Sequence, residues 1–176
     1  MPVEGALPGR LVRWIAAAEA DWDAVYAEQL PRVYNFFRYR FGNAADCEDL
    51  TSRTFEKAWR ARHRYRRDVA SFATWLMTIA RNVAIDHARA RRAHLPLEEA
   101  SAVVAGDSPE DAVARQSDGE RLALLLAELP ERERELLALK YGAGMTNRAI
   151  ATAVGLSESN VGTIVHRAVQ TLRTRW

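Results

Sequence analysis

SFATWLMTIARNVAIDHARARR, residues 71–92, opens as an aromatic-bearing apolar helix and closes as a basic one. Phe72, Trp75, Leu76, Ile79 and Val83 recur at helical spacing, so one face can bury against a bundle. Asn82, Asp86 and Arg89 recur at i, i+4 and i+7 and form a separate polar stripe. Arg91 and Arg92 add charge at the C-terminal end, where the helix dipole favours cations. The stretch predicts a helix with its back in a protein core and its other face toward a polyanion.

The flanking sequence sharpens this. Ten Lys or Arg lie between Lys57 and Arg92, against only Asp68 and Asp86. Seven acids then face Arg115 alone from Glu98 to Glu120. The formal net charge of +2 hides this asymmetry, a basic block beside a solvated acidic connector. Basic residues of Arg60–Asp68 interleaved with Tyr65, Phe72 and Trp75 suit single-stranded nucleic acid, where bases stack and phosphates pair with Arg. Core packing is the stronger reading for Trp75, and for Phe72 the two readings are even.

The remaining chain reads as helices broken by glycine and proline, with no strand-like alternation. Residues 1–20 form an N-terminal extension with Pro2, Gly5, Pro8 and Gly9, and a short helix is expected over 10–20. A longer helix starts at Asp21; Pro31 should kink or restart it, and Gly42 should end it. Asn43 caps the next helix, to about Arg62. Residues 94–117, with Pro96, Gly106 and Pro109, read as a flexible linker. Helices over 118–128, 131–141, 147–154 and from Ser157 to about Thr174 follow, with Thr146 and Ser157 as caps. The expected fold is all-α: two small helical bundles, 21–93 and 118–176, joined by that linker.

The second bundle contains TNRAIATAVGLSESNVGTIVHRAVQTL, residues 146–172, in helix-turn-helix form. Val161, Val165, Ala168 and Leu172 would pack inward against Ile150, Val154 and Leu156. That leaves Ser159, Thr163, His166 and Gln170 outward, with Arg167 beside them, side chains able to reach bases or phosphates. A helical hairpin used only for packing is the competing reading. Catalytic chemistry is hard to find: His63, His87, His94 and His166 are scattered, and no metal-ligand, P-loop, GxGxxG or GxSxG pattern occurs. The chain therefore reads as a non-enzyme without cofactor or metal. Cys47 is the only cysteine and excludes an intrachain disulfide; no run reaches membrane-spanning length or has a signal-peptide core. An intracellular, soluble protein is expected.

Three motifs in order carry a resemblance over roughly residues 22–175. DCEDLTSRTFEKAW (46–59) is similar to the helix of the sigma-70 family that docks on the polymerase clamp. FATWLMTIARNVAIDHAR (72–89) is similar to its promoter-melting, −10-reading segment. LPERERELLALKY (129–141) followed by the helix-turn-helix resembles its −35-reading domain. The chain is identified as a member of the small extracytoplasmic-function (ECF, group IV) class. The resemblance implies that Asp46, Glu48, Asp49, Leu50 and Phe55 lie on or support a surface contacting the β′ clamp helices. It implies that Asn82, Asp86, Arg89 and Arg92 face the −10 strand, and that the Arg66 to Phe72 loop, with Arg67, holds an unstacked base. Ser159, Thr163, His166 and Arg167 would read the −35 element. The implied partners are core RNA polymerase, through its β′ clamp helices and β flap, and promoter DNA, as duplex and as opened single strand. The class also leaves room for a cognate anti-sigma factor. A bacterial cytoplasmic protein, on the nucleoid when polymerase-bound, is implied.

The sequence departs from the family at Ser52-Arg53, where Gln-Glu or Gln-Asp is common, at Ala149, usually glutamate, and at Gly162-Thr163-Ile164, usually more basic. Gly162 costs about 1 kcal/mol of helix propensity against Ala, and the cation-poor helix predicts weak or atypical −35 binding. A stand-alone helix-turn-helix regulator is the alternative, and it leaves the clamp-like helix unexplained. A metal-dependent nuclease using Asp46, Glu48 and Asp49 is a poor third.

Overall fold

The computed structural model describes residues 22–94 and 118–176, so the helix expected over 10–20 and residues 95–117 of the linker lie outside the described residues. All regular elements among them are helical: α1 (Trp22–Phe41), α2 (Ala44–Ala61), α3 (Phe72–His94), α4 (Asp118–Ala127), α5 (Glu131–Leu137), α6 (Asn147–Val154) and α7 (Glu158–Arg175). A 3₁₀ turn, Arg62–Arg64, extends α2, and a π turn, Ala138–Gly142, extends α5.

Local chemistry places most boundaries. Asn43 accepts a hydrogen bond from the Asp46 amide, Ser71 from Thr74, Thr146 from Ala149 and Ser157 from Asn160. Each satisfies a first-turn N–H that no helical carbonyl can reach. Gly42 ends α1 at φ +76°, with its N–H bonded to the Arg38 carbonyl. Two boundaries differ from expectation. α1 runs through Pro31 without a restart. The helix expected over 131–141 gives way to the π turn, where the Ala143 N–H bonds to the Ala138 carbonyl, five residues back.

The first unit packs α1, α2 and α3 around Phe36, Phe37, Leu50, Leu76 and Met77, all at most 1% exposed. Thr51 and Thr54 are buried there too, and their hydroxyls donate to the Cys47 and Leu50 carbonyls, which removes the cost of burying them. The second unit packs α4–α7 around Leu136, Leu137, Leu139, Ile150 and Val161. The two bundles do not stand apart: their buried residues form one apolar cluster, and α1 lies against the π turn.

Candidate nucleic-acid interface

Aromatic and basic residues shape the end of the first unit that carries the basic loop. Phe72 opens α3 with ring centroids 5.3 Å from Trp75, 5.4 Å from Tyr65 and 5.7 Å from Trp22. Trp22 in turn contacts Trp59 at 5.1 Å, and the Arg62 guanidinium lies 3.9 Å from the Trp59 ring centroid. These edge-on contacts tie the loop to the bundle. Phe72 and Trp75 are therefore partly buried members of a ring cluster, while Trp59 keeps 43% of its surface exposed. Periodicity puts Trp22 and Trp59 on the apolar faces of their helices; Trp22 is partly buried there, whereas Trp59 stays largely exposed and meets it only across the two helices. In the loop, Arg66 holds both carboxylate oxygens of Asp68, at 3.3 and 2.6 Å, and this hydrogen bonding lowers the Asp68 pKa. Arg67 is exposed beside it.

Along α3 the stripe of Asn82, Asp86 and Arg89 is exposed throughout. Asp86 lies 3.5 Å from Lys57 of α2, an exposed pair of small energetic weight. Arg92 is paired with Glu131 of α5. Asp46 turns toward α3, 3.9 Å from Arg91 and 4.0 Å from His87. Burial lowers the His87 pKa, and Asp46 opposes that shift.

On α2, Glu48 and Asp49 are exposed, whereas Leu50 is fully buried and Phe55 is 6% exposed, so the latter two support the surface from beneath. Asp49 lies 3.6 Å from Arg53. Beside this face runs an open, mostly apolar groove of about 350 Å³, lined by Tyr26, Leu30, Pro31, Tyr34, Glu48, Thr51 and Ser52. On its α1 wall, Tyr26 and Leu30 belong to the helix's apolar spacing, which says nothing of a groove between helices. Cys47 is fully buried, and burial raises its thiol pKa from 9.0 to about 11, so it is an unreactive part of the core.

The second unit presents a helix-turn-helix of capped helices. Gly155 takes φ +72° after α6, and its N–H reaches the Ala151 carbonyl. Val161, Val165 and Ala168 are buried, while Ser159, Thr163, His166 and Arg167 are exposed together on the other face of α7. Thr163 donates to the Ser159 carbonyl and Arg148 lies 3.4 Å from Glu158.

The sequence matches the family models Sigma-70 region 2 over residues 25–94 and Sigma-70, region 4 over residues 119–172. The ECF RNA polymerase sigma factor SigL of Mycobacterium tuberculosis is 31% identical over 160 residues, 90% of this chain and 90% of that protein. The chain belongs to the ECF sigma-factor family. The ECF RNA polymerase sigma factor BldN of Streptomyces coelicolor is 32% identical over 166 residues, 92% of this chain but 63% of that longer protein. The chain spans 34% of another relative, the probable RNA polymerase sigma factor RfaY of Xanthomonas campestris pv. campestris. In fold it is similar to the sigma factor RpoE of Bartonella quintana, solved in complex with the anti-sigma factor NepR. That likeness has a TM-score of 0.71 at 21% identity and covers 88% of this chain and 95% of that one. In sigma-factor terms, α1–α3 are the region-2 unit and α4–α7 the region-4 unit. No helix among the described residues is long and apolar enough to cross a membrane.

Proposed function

We propose that this chain is a promoter-recognition subunit: it binds core RNA polymerase, brings it to promoter DNA and helps open the duplex. It acts in the bacterial cytoplasm by binding rather than by catalysis. The exposed α3 stripe of Asn82, Asp86 and Arg89 beside the basic aromatic loop carries the reading, because a helix-turn-helix regulator has no use for it. α3 and the loop with Arg66 and Arg67 take the −10 strand. Extruding a base costs a few kcal/mol, offset by stacking and phosphate contacts.

The exposed Glu48 and Asp49 and the neighbouring groove form the clamp-facing surface, with Leu50 and Phe55 as its support. Asp46 acts through its contacts with α3 rather than directly. Ser159, Thr163, His166 and Arg167 face the −35 duplex. Residues 21–93 and 118–176 act as the two functional domains, with 94–117 as their connector and 1–20 as an extension. An anti-sigma protein is a fitting regulator, as one partners the Bartonella relative.

In vitro transcription with purified core polymerase across a promoter library tests this. The chain should enable specific initiation and co-purify with the core enzyme. Well-folded protein that does neither overturns the reading.

A further inference from the structure

Five arginines lie between Arg60 and Arg67, and they are held in three different ways. Two are answered by acids: Arg60 pairs with Glu56 and Arg66 with Asp68. Arg64 and Arg67 are exposed, and their side chains make no ion pair or hydrogen bond among the described residues. Arg62 is the third case, fastened without being neutralised. Its guanidinium carbon lies 3.9 Å from the Trp59 ring centroid, and Nη1 donates to the Trp59 carbonyl at 2.8 Å. Among the described residues no carboxylate pairs with it.

The ending of α2 does not need that guanidinium. The backbone N–H of Arg62 already bonds the Trp59 carbonyl oxygen, which satisfies it. The side chain adds a second donor there, using one N–H of five, and a neutral carbonyl leaves the positive charge in place. Fixing a long side chain costs rotamer entropy, and here the fixing is done in the free protein, before any ligand arrives.

Trp59 holds Arg62, and Trp22 holds Trp59. The two indoles meet edge-on at 5.1 Å, and Trp22 reaches Phe72, where the loop joins α3, at 5.7 Å. Trp59 is 43% exposed, so much of its ring contributes nothing to the core, and it carries a cation instead. At ~3.4 Å per nucleotide, about three nucleotides of stacked strand span the way from Phe72 to Trp59.

We propose that Arg62 is a preset phosphate seat for single-stranded DNA, positioned by Trp59, a few nucleotides from the base taken by the Arg66 to Phe72 loop. This rests on the promoter reading above and extends it: the strand that meets α3 and the loop continues over the end of α2. A planar guanidinium presents paired N–H groups to phosphate oxygens, and Arg64 and Arg67 add a field that attracts a polyanion without fixing it. Arg60 is the internal comparison, with the same charge two residues away but lying against Glu56.

Full-length variants without polymerase test this, by fluorescence anisotropy of a labelled mixed-sequence single-stranded DNA oligonucleotide over a salt series. R62M should lower affinity roughly tenfold and the salt slope by about 0.7. R60M removes the same formal charge and should cost much less; an equal loss would reduce the effect to the charge of the stretch and overturn the proposal. R62K keeps the charge and loses the planar stack, so it should restore the slope and only part of the affinity. Full recovery would remove any need for a preset geometry and overturn the proposal too. W59L should cost about as much as R62M, and W59L/R62M no more than either, because the ring acts through the guanidinium. Additive losses would make the indole a contact in its own right and end its positioning role. A wild-type chain that does not bind the strand at low salt overturns the whole assignment. Failure of the promoter reading has a different signature: wild-type protein with core polymerase would then support no specific transcription, whatever these variants do.

Discussion

α3 and α7 are the two helices that the promoter reading turns toward DNA, and they are dressed in opposite ways. On α3, Arg81 and Arg92 are held by carboxylates of the region-4 unit, Arg91 lies near Asp46, and Asp86 lies near Lys57. On α7, the outward row of Ser159, Thr163, His166 and Arg167 is exposed, and the helix makes ion pairs only near its ends among the described residues. The first helix is rich in charge and already engaged; the second is sparse and open. Exposure alone is therefore a poor measure of readiness. The α7 face is exposed, whereas on α3 Arg81 and Arg92 are held by Glu135 and Glu131 and Arg89 stands clear of them.

The largest test of this contrast falls on the part of α3 that is not engaged. Asn82 and Arg89 are exposed and make no ion pair or hydrogen bond among the described residues. Replacing either with Ala should cost about 1–3 kcal/mol in promoter opening, roughly ten- to a hundredfold, while affinity for core polymerase stays unchanged. Permanganate footprinting and core-binding assays on the same variants separate the two effects. Equal losses in both would mean that α3 faces the polymerase and would end the division between the helices.

How much of this contrast was legible in advance follows from how local each feature is. The caps at Asn43, Thr146 and Ser157 were readable because each bonds an amide three residues on, whereas at the start of α3 the sequence left Ser71 and Asp68 both open and the structure takes Ser71. The turn at Gly155 and the inward Val161, Val165 and Ala168 were readable from spacing alone. The pairing of Arg40 with Glu135 was not: the two are 95 residues apart, and nothing in the RERE pattern distinguishes a solvated helix face from one that grips another unit. The π turn was missed for a related reason. LALKYG has ordinary helix formers, and the widened turn shows only where Gly142 meets α1. Phe72 was evenly balanced between core and stacking, and its three ring neighbours, drawn from α1, the loop and α3, draw it into the bundle.

A smaller effect is expected on the open helix. Arg167 is the one arginine beside the exposed row of α7, and on the promoter reading a phosphate contact is expected of it. Arg167→Ala should weaken binding to −35 duplex about equally for matched and altered sequences, and lower the salt slope by about 1. Anisotropy titrations over a salt series measure both. A change confined to one base position would make Arg167 a base reader and the helix less sparse in information than its charge implies. An unchanged slope would put the contacts of this unit elsewhere.

The smallest effect concerns Gly162, in the middle of α7. A helix-interior glycine costs about 1 kcal/mol against alanine, so a glycine there asks for a reason. The reason at Gly142, in the π turn, is the backbone of α1 against it, which cannot yield. At Gly162 an added Cβ meets only the Asn147 side-chain amide nitrogen, at 3.4 Å. The Asn147 amide oxygen is buried without a hydrogen-bond partner, so no hydrogen bond of that oxygen is lost when the amide gives way by a few tenths of an ångström. Gly162→Ala should therefore raise the melting temperature by a few degrees, for a gain of up to about 1 kcal/mol, without altering DNA affinity. Gly142→Ala, on the same unit, should stabilise nothing and expand the molecule. The opposite responses to one added methyl group distinguish a seam between two units from a contact inside one. If Gly162→Ala destabilised the chain instead, α6 and α7 would be packed as tightly as the seam, and the open helix would owe its glycine to packing after all.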